Sequence, residues 1–375
     1  MKKAFCTIIS SNYMPQALVL INSFKKFHSN DQFYLLVIDV EIVHQQFIDG
    51  VTILTPNELK IEELSLEKMR RYYDLVELAT SLKPFLLEVL IAEGASEATY
   101  LDPDVQVFSE ITFTRNPIST GTLALTPHRL SPPNQHALKE GEKLFLKYGV
   151  FNLGYISVTP KDIDFLQWWK EHLVIQSTRW PISEVFTDQK WIDLVPGYFD
   201  YIKVSDYGFN VAPWNLDERE LTLRDEILFV NKNTIVKFVH FSQISGMLSK
   251  GGLSARWLTK LENSGLSEET SIVFGKLLQR YTIELAMIKK NAYWNSYFKL
   301  LVNPYSKLNY LMRQRIFREL QKSNSIVSKR DIDANLFLKL LDLLLTKLTR
   351  FDSFNGLAWG VRSDIARIMS KKKIP

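Results

Sequence analysis

The sequence holds one cysteine, Cys6, in 375 residues. An internal disulfide is therefore excluded, as is a zinc site built from several thiolates, and the chain fits a reducing compartment. No run approaches the ~18 consecutive apolar residues that a membrane-spanning helix needs. The sequence has no internal repeat and no low-complexity segment. It carries no recognition motif for nucleic acid, and a pI ≈ 8.9 is modest for such a partner. The N-terminal stretch MKKAFCTIISSNY sets two lysines before an apolar run, as a short signal peptide does. That run ends at once in Ser10, Ser11 and Asn12, and no small-residue cleavage site follows, so it reads as a first strand.

What is present suffices for a large core: 46% of residues are hydrophobic and 12% are aromatic. Surplus aromatics often line ligand sites or interfaces. The net charge of +5 hides an asymmetry. Residues 1–279 carry 27 basic and 34 acidic side chains, whereas residues 280–375 carry 19 and 7. A mildly acidic body therefore precedes a basic end.

Periodicity places the elements. AFCTIIS (4–10), FYLLVID (33–39) and VTILT (51–55) read as buried strands. Residues 14–28 space Leu18, Ile21, Phe24 and Phe27 as on one helical face. KPFLLEVLIAEG (83–94) predicts a helix, with Pro84 near its start and Gly94 after its end. ATYL (98–101), LALT (123–126), YISV (155–158) and IVKFVHFS (235–242) read as further strands. Residues 161–175, 184–194, 254–263, 267–290, 296–321 and 332–350 read as helices. The alternation predicts an α/β fold with a mostly parallel sheet flanked by helices and a helical C-terminal extension. The expected boundary separates a domain over 1–265 from a basic, aromatic-rich helical region over 266–375.

The stretch TYLDPDVQVF (99–108) sets Asp102 and Asp104 one residue apart, just past a strand's C-terminal end. In open α/β sheets that edge is where ligands bind. Paired carboxylates can hold one hard cation, Mn²⁺ or Mg²⁺, leaving positions open for phosphate. A solvated Asp-Pro-Asp turn is the plainer alternative. Lys83 at a helix N-terminus opposes the helix dipole, which favours a functional role over a surface one. His240 closes a strand, either as a ligand or as a satisfied buried imidazole.

The segment LKPFLLEVLIAEGASEATYLDPDVQVF resembles the central part of bacterial nucleotide-sugar glycosyltransferases of the GT-A (Rossmann-like) fold, family-8 type, as found in lipopolysaccharide and polysaccharide synthesis. FNLGYISV (151–158), TDQKWIDLVP (187–196), YGFNVAPWNL (207–216) and VKFVHFSQISGMLSKGG (236–252) are similar to further motifs of that family, in its order. The resemblance spans about residues 4–255. It implies that Asp102, Asp104 and His240 hold the divalent ion. Lys83 would face the ribose or the diphosphate, and Lys250 the diphosphate. Ser10, Asn12 and Tyr13 would meet the nucleotide, with Tyr13 stacking on the base or simply packing. Asn152 and Gly154 would lie under the donor sugar, and Asp188 and Gln189, the candidate catalytic residues, would bind sugar hydroxyls near the anomeric carbon. Two departures stand out. The family's acidic residue in the first turn is replaced by Ser11 and Asn12, and Gln243 stands where a glycine is common.

The expected activity is metal-dependent sugar transfer from a nucleoside diphosphate sugar, UDP-linked by resemblance, to a glycan, lipid-linked or protein acceptor, with retention. The rival is a catalytically degenerate transferase acting as a membrane-associated assembly partner. A D-x-D phosphatase is disfavoured, because Val105 and Gln106 follow Asp104 instead of the usual threonine. Residues 289–322 interleave Lys and Arg with Tyr293, Trp294, Tyr297, Phe298, Tyr305, Tyr310 and Phe317. Such a region suits an anionic membrane surface, or caps the catalytic domain with its aromatics. A cytoplasmic protein, peripheral on the inner face of the membrane, is the expected setting.

Overall fold

The structure is a computed structural model that describes residues 2–43, 47–113, 122–133, 138–178, 185–242 and 266–301. The chain divides into two compact units. One comprises Met1–Ile61 with Leu75–Pro304, and the other Glu62–Asp74 with Tyr305–Pro375. The described part of the second unit is a single helix, α2 (Glu63–Tyr72), steadied by the ion pair Arg70–Glu67 at 3.3 Å.

The first unit is built on a seven-stranded sheet. Its strands are β1 (Lys3–Ile9), β2 (Gln32–Val37), β4 (Val51–Leu54), β5 (Glu97–Leu101), β7 (Leu123–Pro127), β8 (Phe151–Val158) and β9 (Tyr201–Lys203). The order across the sheet is β4-β2-β1-β5-β8-β7-β9. All strands but β8 run in one direction. Smaller pairings add β3 (Val40–Val43) with β14 (Phe298–Leu300), β6 (Val105–Val107) with β13 (Phe238–His240), and the hairpin strands β10 (Leu221–Arg224), β11 (Ile227–Val230) and β12 (Thr234–Ile235).

The helices are α1 (Met14–Lys25), α3 (Leu75–Ser81), α4 (Lys83–Ala92), α5 (Leu138–Tyr148), α6 (Ile163–Leu173), the single turn α7 (Val195–Tyr198) and α8 (Glu268–Lys290). Strand alternation sends Phe5, Ile9, Phe33, Leu35 and Val37 to one face, where they meet Ala17, Leu20, Ile21 and Phe24 of α1. Full burial of one such phenylalanine contributes about 1.5–3 kcal/mol. Helices α3 and α4 pack on β1, and α6 lies against α4. The Ser267 side chain accepts the Thr270 N–H and starts α8, with Glu268 and Glu269 in its first turn and Lys289 and Lys290 in its last. This helix packs on α1 and β10.

Three expectations differ from the structure. Of the stretch 184–194, the described residues 185–194 form a 3₁₀ segment over Lys190–Leu194 and no α-helix, because Asp188 and Gln189 are committed to tertiary partners. The stretch 235–242 is two short strands, β12 and β13. The described start of the helix expected over 296–321 is the end of a 3₁₀ segment (Tyr293–Tyr297) and then a strand, β14, drawn into pairing with β3. The remainder of it, and the helices expected over 254–263 and 332–350, lie outside the described residues. Trp294 and Phe298 are buried in the α1 core cluster, and Phe47 stacks on Tyr297 at 4.6 Å. These aromatics of the basic region therefore serve packing. Among the described residues, no helix is long and apolar enough to cross a membrane.

Candidate active site

Strand β5 ends at Leu101, and the chain turns through Asp102-Pro103-Asp104 into β6. The Val105 N–H donates to the Asp102 carbonyl at 3.1 Å, closing a β-turn with Pro103 at its second position, where a fixed φ is an advantage. Pairing of β6 with β13 sets His240 opposite Val105. His240 Nε2 then lies 3.0 Å from Asp104 Oδ1 and 3.5 Å from Asp102 Oδ2. One ligand atom from each of the three residues falls within 4.8 Å of the others. Two carboxylates and one imidazole at such spacing could hold a single divalent cation. Burial pulls the His240 pKa down, but the Asp104 and Asp102 carboxylates outweigh it and hold the pKa above the usual histidine value.

Lys83 opens α4 and is buried. Its ammonium meets Asp188 Oδ2 at 2.9 Å, the Leu153 carbonyl at 2.9 Å and Asp102 Oδ1 at 3.5 Å. It also lies 4.4 Å from the centre of the Tyr100 ring, whose hydroxyl donates to Asp102 Oδ1 at 2.9 Å. Burial alone would lower the lysine's pKa, yet Asp102 and Asp188 hold it above its usual value. The Asp188 carboxyl is raised by burial, against the opposing pull of Lys83. Thr187 precedes it at φ 48°, a left-handed conformation unusual for a β-branched residue, anchored by its N–H on the Thr178 carbonyl at 2.8 Å.

Because β8 is antiparallel, its N-terminal half reaches the same edge. Asn152, Leu153 and Gly154 there face Lys83, Gln189 and His240. A Cβ on Gly154 would stand 2.5 Å from His240 Cε1, so only glycine lets the imidazole lie against this strand. Gln189 is held by three contacts. Its Nε2 donates to the Tyr148 carbonyl at 2.9 Å, and its Oε1 accepts the Leu153 N–H at 3.1 Å with Asn152 Nδ2 at 3.5 Å.

The turn after β1 carries Ser10, Ser11, Asn12 and Tyr13. The Ser10 hydroxyl donates to Asn12 Oδ1. Asp39, just past the end of β2, receives the Ser11 N–H and the Ser11 hydroxyl, each at 2.7 Å. An acidic group thus enters this turn from the neighbouring strand. FYLLVID carried that signal, since its last residue falls at the ligand-binding edge. Lys250 lies outside the described residues.

The structure therefore brings Asp102, Asp104, His240, Lys83, Asp188, Gln189, Asn152 and Gly154 into one cluster, with Ser10, Asn12 and Tyr13 in the turn after the adjacent strand. It adds residues that spacing alone did not assign: Tyr100, His128, Asn210 and Asn215. His128 follows β7. Burial and the nearby His240 push its pKa down to about 4, against a hydrogen bond to the Val150 carbonyl. Trp214 stands edge-on to His240 with ring centres 5.3 Å apart. The loop after β7 is tied to the same region, because the Arg129 guanidinium spans both carboxylate oxygens of Asp217 at 2.5 and 2.8 Å.

No protein-family profile matches the sequence. The chain is 24% identical over 251 residues to an uncharacterized protein, YfnF, of Bacillus subtilis strain 168, covering 64% of this chain and 82% of that one. Among solved structures, it is similar to the galactosyltransferase LgtC in complex with donor and acceptor sugar analogues: 15% identity, TM-score 0.41, covering 76% of this chain and 95% of that one. It is also similar to the glycosyltransferase GlyE of Streptococcus pneumoniae TIGR4, with 14% identity, TM-score 0.39, and 78% and 64% coverage. A third likeness is to mouse xyloside xylosyltransferase 1, with 11% identity, TM-score 0.36, and 64% and 98% coverage. Overlays this loose carry no argument about chemistry, which rests on the residues themselves.

Proposed function

We propose that this protein is a metal-dependent glycosyltransferase that takes its sugar from a nucleoside diphosphate sugar, most naturally a UDP-sugar, and transfers it with retention to a glycan, lipid-linked or protein acceptor. The observation that carries the reading is the Asp102–Asp104–His240 cluster at the C-terminal edge of the sheet, with the Lys83–Asp188 pair beside it. Asp102, Asp104 and His240 would hold the cation, which when bound supplies positive charge against the diphosphate. Lys83 adds a fixed charge on the same side, and the turn at Ser10, Asn12 and Tyr13, with Asp39 behind it, would meet the nucleoside. Asn152 and Gly154 would floor the sugar site, Gly154 by letting the His240 ring lie against the strand.

The environment of Asp188 supports retention. An inverting enzyme needs a carboxylate free to take the acceptor's proton. Asp188 is 2% exposed and committed to Lys83, so its role is to hold that lysine and the floor of the site. In a front-face reaction the leaving diphosphate accepts the proton instead, and positioning of acceptor against donor supplies much of the rate.

Thermal unfolding with UDP, GDP or CDP, each with and without Mn²⁺, tests the reading. Stabilisation by one nucleotide only when the cation is present is the expected result, about 2.7 kcal/mol at a hundredfold excess over Kd. No response to any pair would refute it. Asp104→Asn should abolish both that response and the slow hydrolysis of the matching sugar nucleotide.

A further inference from the structure

The segment 207–216 supplies Asn210, a fully buried side chain that touches the cation cluster without belonging to it. We infer that Asn210 is a positioning residue that transmits a hydrogen-bond polarity from the Gly154 backbone to His240, fixing which imidazole nitrogen faces the cation site. The inference rests on the metal reading above and deepens it.

The polarity follows step by step. The Gly154 N–H can only donate, and it reaches an Asn152 side-chain atom at 3.1 Å, so that atom is the oxygen Oδ1. The Asn210 atom 3.0 Å from that oxygen must then be the donor, Nδ2. The other Asn210 terminus is therefore oxygen, and it faces His240 Nδ1 at 3.2 Å. Nδ1 must carry a proton to satisfy it. Nε2 lies 3.0 Å from Asp104 Oδ1 and 3.5 Å from Asp102 Oδ2, so without a cation both ring nitrogens face acceptors and both carry protons. A cation held by the two carboxylates would displace the Nε2 proton, and Asn210 keeps the other proton on Nδ1. A backbone amide two amide side chains away thus dictates that His240 offers the cation a lone pair and not an N–H.

Asn210 is itself held for this task. It sits at φ 53°, a left-handed conformation that asparagine tolerates better than most residues. Its carbonyl accepts from Asn215 Nδ2 at 3.0 Å, and the His240 N–H donates to the Val211 carbonyl at 2.8 Å, so the two backbones are tied together. The free arm of Asn152 extends the same frame. Its Nδ2 lies 3.3 Å from His128 Nε2 and 3.5 Å from Gln189 Oε1. His128 Nδ1 faces the Val150 carbonyl, which can only accept, so His128 Nε2 is an acceptor and the Asn152 orientation is confirmed from its other end. One frame of side-chain amides therefore orients both the His240 imidazole and the Gln189 amide.

The test reads the tautomer directly. Long-range ¹H–¹⁵N spectra of the protein at saturating Mg²⁺ resolve its six histidines, with His240 assigned by the signal lost in His240→Gln. The wild type should show His240 as the Nδ1–H form; an Nε2–H form overturns the inference. Asn210→Ala should abolish that preference and weaken Mn²⁺ binding, followed by electron paramagnetic resonance, by about 10–100-fold. Asn210→Asp keeps an acceptor toward His240 and tolerates the backbone conformation, but it sets an oxygen in place of the donor toward Asn152 Oδ1, so it should keep the Nδ1–H form and lose less Mn²⁺ affinity than Asn210→Ala. Equal losses in the two variants would show a packing role, and wild-type affinity in Asn210→Ala would also overturn the inference. Should Asn210→Ala not fold, the wild-type tautomer and Asn210→Asp still decide. If the wild type binds no cation, the metal reading fails by itself, and the frame is judged by the His240 Nδ1–H resonance of the metal-free imidazolium, which should shift in Asn210→Ala and stay in place in Asn210→Asp.

Discussion

His128 makes an acid-side prediction with a definite sign. Its imidazole is buried, and burial pushes its pKa down to about 4 from an unfolded value near 6.5. A depressed histidine pKa means that the unfolded chain binds the proton more readily. The stabilisation is therefore present above pH 6.5 and is lost as pH falls from 6.5 toward 4. The difference of about 2.5 units, at 1.36 kcal/mol each, corresponds to about 3 kcal/mol. His240 works in the opposite sense. Its raised pKa stabilises the metal-free protein below pH 6.5, and that contribution fades as pH rises through the folded value. Comparing wild type with His128→Gln, which cannot titrate, cancels His240 and every other shared group. Urea unfolding followed by tryptophan fluorescence on metal-free protein gives the two stability–pH curves. The wild type should lose about 1.4 kcal/mol per pH unit more than the variant between pH 6.5 and 4. Parallel curves across that range would refute a buried, neutral His128 and the acceptor role assigned to its Nε2.

Two further outcomes follow from packing. Gly154→Ala sets a Cβ against the His240 ring and Asn152 Oδ1; it should weaken Mn²⁺ binding by at least about tenfold while the far-ultraviolet circular dichroism stays unchanged. Calorimetric titration that finds wild-type affinity would show that His240 does not need this strand. Lys83→Ala leaves the buried Asp188 carboxylate without its cation and should cost about 3–5 kcal/mol of stability at pH 7. Lys83→Ala combined with Asp188→Asn should recover part of that loss, and a double variant no more stable than the single one would count against the pair.

Much of the fold was legible because it is local. The strand ends at Ile9, Val37 and Leu101 follow from apolar runs stopped by polar turns, and α4 from its proline start. The placement of Asp102 and Asp104 at the sheet's C-terminal edge follows from the same reasoning, because an edge is defined by where a strand stops. Cys6, alone and buried in β1, agrees with a protein that needs no disulfide.

What tertiary structure alone decided are the partnerships between distant segments. FNLGYISV is buried at every residue, so no alternation betrayed that β8 runs against its neighbours. Yet that reversal brings Asn152 and Gly154 beside Lys83 and His240. Asp39 reaches the Ser11 turn because β2 lies beside β1, and adjacency of strands is not written in either strand. Lys83 and Asp188 lie 105 positions apart (188 − 83), and their attraction exists only once α4 and the Thr187 turn have been packed together. The order of donors and acceptors through Gly154, Asn152, Asn210 and His240 is likewise a property of contact. The sequence by itself determined which groups stand at the strand ends, because hydrophobic periodicity acts over a few residues. Only the folded chain decided which of them share a proton, because hydrogen bonds and ion pairs act over a few ångströms.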